Sequence, residues 1–110
     1  MSELEKINAE MRSSAIKILL RNHPRIISDI LGGGSFNLNA TPENMDYDDN
    51  GEILLRVAWD IWNGAGCAEF DRILNELPAE DFDAFIDAMK EFASLRARIR
   101  FAYASGSQND

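Results

Sequence analysis

The sequence predicts a mainly α fold: a compact bundle of four to five helices with an irregular acidic insertion around residues 33–50 that leaves room for a short strand or hairpin. Three observations lead there. Apolar residues recur at three- and four-residue steps along most of the chain, which places them on one face of a helix. Serine, aspartate, proline and glycine stand at the ends of those runs, where helices start and stop. A length of 110 residues with 45% hydrophobic content supplies one core and little for a second. Residues 1–104 therefore read as a single helical domain and 105–110 as a polar, frayed tail.

Ser2 followed by Glu5 reads as a capping box, and Leu4, Ile7, Met11, Ala15 and Ile18 form a first stripe, to about Arg21. Pro24 suits the first turn of a second helix, with Ile26, Ile27, Ile30 and Leu31 as its stripe and Gly32-Gly33-Gly34 as its stop. The proline alternatively kinks one long helix. From Gly32 to Asp49 regular content is low, although Phe36 and Leu38 alternate as in a short strand. Irregular chain of that length is functional, mobile, or pinned by its two apolar side chains.

Asp49 and Glu52 suggest a second capping box, opening a helix with the stripe Ile53, Leu54, Val57, Ala58, Ile61 and Trp62 and the stop Asn63-Gly64. A strand competes here, because Ile53, Leu55, Val57, Trp59 and Ile61 alternate and Asn50-Gly51 is a hairpin-turn signal that pairs them with Met45 and Tyr47. Arg56, Asp60 and the caps favour the helix. After Gly64-Ala65-Gly66, Phe70, Ile73, Leu74 and Leu77 mark a helix of about three turns. Pro78 opens the last helix, with Glu80, Asp81 and Asp83 near its start and Arg96, Arg98 and Arg100 near its end, as a helix dipole favours. Its stripe is Phe82, Phe85, Ile86, Met89, Phe92, Ala93 and Ile99.

A formal charge of −8 argues against direct binding to nucleic-acid phosphates, where affinity comes from Lys and Arg displacing counterions. No apolar run approaches the roughly 20 residues that span a bilayer, and the first residues lack a signal-peptide profile, so no membrane association is expected. The single Cys67 forms no internal disulfide, in keeping with a cytoplasmic setting.

Asp46, Asp48 and Asn50 stand at alternate positions, followed by Gly51 at the turn, then Glu52 and the apolar Ile53. This run resembles the first eight positions of an EF-hand calcium loop. The resemblance implies oxygen ligands from Asp46, Asp48 and Asn50 and the backbone carbonyl of Glu52, and so a calcium- or metal-binding module. At the twelfth position, where that family places a bidentate glutamate, this chain has Val57, so the implied affinity is weak. Helix capping and turn chemistry explain the same residues without a metal, and no other cofactor is expected.

Nucleophilic catalysis would need Cys67 or a serine beside a base, and the only histidine, His23, sits at a helix junction. Gly32-Gly33-Gly34-Ser35 lacks the lysine and helix of a phosphate-binding loop. A small carboxylate-dependent enzyme built on Asp60 and Glu69 is a further alternative. The leading expectation is a non-enzymatic interaction module: an acidic adaptor or inhibitor that meets a basic protein surface, including that of a nucleic-acid-binding protein through phosphate mimicry. Its expected contacts are Asp81, Asp83, Asp87 and Glu91 on the acidic stretch, Trp59 as an anchor lying off the third stripe, and Arg96 with Arg100 one turn apart. A solvated helix face and dipole compensation are the plainer accounts of those charges. Self-association stays open.

Overall fold

Ser2 accepts a hydrogen bond from the Glu5 N–H through its Oγ at 3.1 Å, and the chain enters α1 (Glu3–Leu19) at the expected cap. In this computed structural model, which describes residues 2–109 except the side chains of 102, 103 and 105–109, four further helices follow. They are α2 (Pro24–Leu31), α3 (Asp49–Asn63), α4 (Phe70–Glu76) and α5 (Ala79–Asn109). Pro24 begins α2 rather than kinking one long helix, since His23 breaks the helical backbone just before it. The expected tail falls on 105–110; the backbone of α5 is helical to Asn109, while Asp110 and the tail's side chains lie outside the described residues.

Helix α3 runs through the middle of the core. Ile53, Leu54, Leu55, Val57, Ala58 and Ile61 are all buried, at about 1.5–3 kcal/mol for each large aliphatic side chain taken from water. That burial on several sides explains why α3 reads equally as a strand in sequence, and the residues 52–62 are helical throughout. Its N-cap is Asp48, one residue earlier than the sequence suggests: Asp48 Oδ1 accepts the Gly51 N–H at 2.8 Å. Gly51 is required by close packing rather than by a hairpin, because a Cβ there would lie 2.8 Å from the Tyr47 Cβ.

Helices α1 and α5 pack antiparallel, as shown by Arg21 bonding Asp87 at 2.8 Å at one level and Arg98 meeting the Met11 sulfur at 4.0 Å at another. Ala84, Ala88 and Leu95 are buried along this side of α5, and Leu95 is absent from the expected stripe. The long pair gives the molecule its extents of 50 × 28 × 21 Å.

The insertion between α2 and α3 contains no strand among the described residues. It is held by Phe36, 5% exposed, which lies edge-on to Trp59 at 4.8 Å and stacks on Trp62 at 5.3 Å. Leu38, expected to help pin it, is exposed instead. Trp59 donates its indole N–H to the Ala40 carbonyl at 2.7 Å, and the Tyr47 hydroxyl donates to Asp29 at 2.6 Å. Burial and that bond to Asp29 push the Tyr47 phenol well above its ordinary range.

Candidate functional site

Eight carboxylates lie between Glu69 and Glu91, and half of them are consumed inside the molecule. Glu69 and Glu76 hold Arg72 at 3.1 and 3.4 Å. Asp87 pairs with Arg21 at 2.8 Å. Asp81, only 2% exposed, turns inward onto His23 Nε2, 3.0 Å from both its oxygens, and accepts from Asn22 at 3.3 Å. Its carboxylate therefore clasps the α1–α2 corner to the start of α5 and faces no solvent. Asp71, Glu80, Asp83 and Glu91 have no ion pair among the described residues. Of these four, Asp71, Glu80 and Asp83 are exposed and Glu91 is half-buried.

Arg72 reaches across to α3 as well, bonding Glu52 at 3.4 Å, while Arg56 bonds the same carboxylate at 3.1 Å. The hydrogen bonds from Arg72 and then Arg56 hold the Glu52 carboxyl below its ordinary range. The cluster fixes α4 against α3.

The α3–α4 turn is shaped by Asp60. Its carboxylate accepts the backbone N–H groups of Gly66, Cys67 at 3.1 Å and Ala68 at 2.8 Å. Gly64 and Gly66 take left-handed φ values of 67° and 77°, which glycine adopts without steric cost. The tight turn returns the chain so that α4 starts beside α5 with little length to bury itself. Helix α4 is a two-turn element, shorter than its apolar spacing suggests, and only Ile73 of its stripe is fully buried.

Phe70 and Leu74 are left 70% and 66% exposed on consecutive turns of α4. Beside them runs an apolar groove of about 320 Å³, lined by Phe70, Ile73, Phe85, Met89 and Phe92 among others, with Asp60 at its edge. Ile86, 38% exposed, extends the apolar surface along α5. Asp71 follows Phe70 on α4, Asp83 precedes Ile86 by one turn of α5, and Lys90 stands one turn beyond.

No family model matches this chain, and no curated protein or solved structure is significantly similar to it. The site is therefore read from its own geometry.

The remaining sequence-derived residues are distributed elsewhere. Trp59 is half-buried and occupied by Phe36 and Ala40, so it is a clamp on the insertion rather than an exposed anchor. Arg96 and Arg100 are exposed on α5, but more than two turns before its end at Asn109, so dipole compensation does not account for them. Asp48 is engaged as the α3 cap, Glu52 with Arg56 and Arg72, and Asn50 lies in the first turn of α3; Asp46 is exposed. Among the described residues no three His, Cys, Asp or Glu side chains gather as a metal site. His23 borders a hollow of about 290 Å³ with Arg25, Asp46 and Tyr47, and Cys67 is not part of its lining.

Two features escape the sequence reading. Arg12, on α1, donates from Nη1 to the Ile61 carbonyl at 2.6 Å and from Nε to Asn8 at 2.7 Å, with its guanidinium 5.3 Å from the Phe92 ring centroid. Burial holds it below its ordinary pKa, and it remains charged. The exposure of Phe70 and Leu74 also went unread; the one signal was an apolar quartet squeezed between a glycine pair and Pro78.

Proposed function

We propose that this chain is a non-enzymatic interaction module whose α4–α5 face receives a basic amphipathic helix of another protein. One observation carries the reading: Phe70, a large exposed apolar side chain, lines an apolar groove, and Leu74, equally exposed, follows it one turn on along α4. Exposed apolar surface of this kind marks interaction sites, and a groove between helices suits the apolar anchors of a helix spaced three and four residues apart. A net charge of −8, with Asp71 exposed on α4 and Asp83 exposed on α5, sets the sign of the partner.

The test is calorimetric titration with a synthetic amphipathic helix of leucine and lysine, against a version with glutamate in place of lysine. The basic peptide binds and the acidic one does not. Leu74→Ser weakens binding at least about tenfold, or about 1.4 kcal/mol, without lowering the melting temperature, because Leu74 is not part of the core. Equal binding of both peptides, or no response to Leu74→Ser, contradicts the proposal.

A further inference from the structure

Arg12 on α1 and Arg96 and Arg100 on α5 line one hollow of about 440 Å³, together with Phe92, Leu95 and Ile99. Among the described residues no carboxylate lines it. None of the three arginines is ion-paired among the described residues, although the chain carries 19 acids against 11 bases. Arg21, Arg56 and Arg72, by contrast, are each held by a carboxylate. Arg12 is half-buried, and it donates to neutral acceptors, the Asn8 amide oxygen and the Ile61 carbonyl. A guanidinium drawn partly out of water without a counter-charge leaves a positive potential unanswered at the hollow. Leu95 is buried, so the apolar surface open there comes from half-buried Phe92 and Ile99 and from the arginine stems.

We infer that this hollow binds a small organic anion, a carboxylate on a short aliphatic body, with its head among Arg12, Arg96 and Arg100 and its body against Phe92 and Ile99. Guanidinium groups match carboxylates through paired hydrogen bonds. The volume falls in the range of about 300–1,000 Å³ typical of small-molecule sites and exceeds what a bare inorganic anion fills, so the ligand needs an apolar part as well as a head. The neighbouring hollow of about 570 Å³ shares Arg12 and Phe92 but is lined also by Glu5 and Asp60, which repel an anion and keep it on the arginine side. Phe92 lines the α4–α5 groove as well, whereas none of the three arginines does, so the arginines separate this site from the peptide groove.

Calorimetric titration of the full chain with octanoate tests it, with octanol as the body without the charge and acetate as the charge without the body. Octanoate binds at one site, and both controls bind at least about tenfold more weakly. Arg96→Gln with Arg100→Gln, at two exposed positions, weakens octanoate at least about tenfold with the melting temperature unchanged, while Leu74→Ser leaves octanoate binding as it was. These outcomes hold whether or not the leucine–lysine helix binds at the α4–α5 face. No octanoate binding at millimolar concentration, octanol or acetate binding as tightly as octanoate, or a double variant that binds octanoate like the native chain overturns the inference.

Discussion

Asp60 and Asp81 show how much depends on single carboxylates whose partners are backbone groups or a histidine. Asp60 gathers the N–H groups of Gly66, Cys67 and Ala68, so Asp60→Asn, which keeps one oxygen but loses the charge, lowers stability by about 1.5–3 kcal/mol in urea unfolding. An unchanged midpoint would show that the glycines alone hold the turn. Asp81 is expected to tolerate no reversal: Asp81→Lys places an ammonium in a site that is 2% exposed and abolishes cooperative unfolding, whereas Asp83→Lys stays within about 0.5 kcal/mol of the native chain. Circular dichroism melts separate the two outcomes. The contrast was illegible in the sequence. Local signals such as Ser2, Pro24 and Gly64 announce helix ends because their partners lie within a few residues. The inward turn of Asp81 depends on His23, far away in sequence, and no spacing rule reports that.

At the scale of elements, the helices were legible because each carries its own period and caps, and the errors lie where tertiary contacts decide. Helix α3 looks like a strand because it is buried on several sides, and α4 looks like core because its two-turn length is invisible in its spacing. The irregular insertion offers three readings in sequence; the structure selects pinning, by Phe36 between Trp59 and Trp62. Trp59→Phe removes the bond to Ala40 and costs about 1 kcal/mol in chemical denaturation, with peptide binding at the α4–α5 face unchanged. The α3–α4 attachment is pH-dependent. Arg72 and Arg56 hold the Glu52 pKa below its unfolded value, so its stabilisation is complete above the ordinary carboxylate range and is lost as pH falls through the lowered folded value. Glu52→Gln therefore narrows its stability deficit against the native chain as pH falls through that window. A deficit constant with pH would show that the ion pairs contribute nothing.

Over the whole molecule, charge and apolar surface are divided between two ends. The α4–α5 face combines exposed Phe70 and Leu74 with Asp71 and Asp83, which have no ion pair among the described residues, and the far end of the α1–α5 pair gathers Arg12, Arg96 and Arg100 around a hollow beside Phe92. The sequence shows the polarity as a run of acids and a cluster of arginines, but not which acids are engaged internally: Glu69, Glu76, Asp81 and Asp87 are held by partners within the chain, and these include two expected contacts. Among the described residues no helix is long and apolar enough to cross a membrane. The most direct measurement is amide chemical-shift mapping of the labelled chain during titration with the leucine–lysine helix. The account predicts saturable shifts concentrated at 66–74 and 83–92, with α2 and the insertion unmoved; shifts spread evenly over the acidic surface, or centred on 43–52, would contradict it.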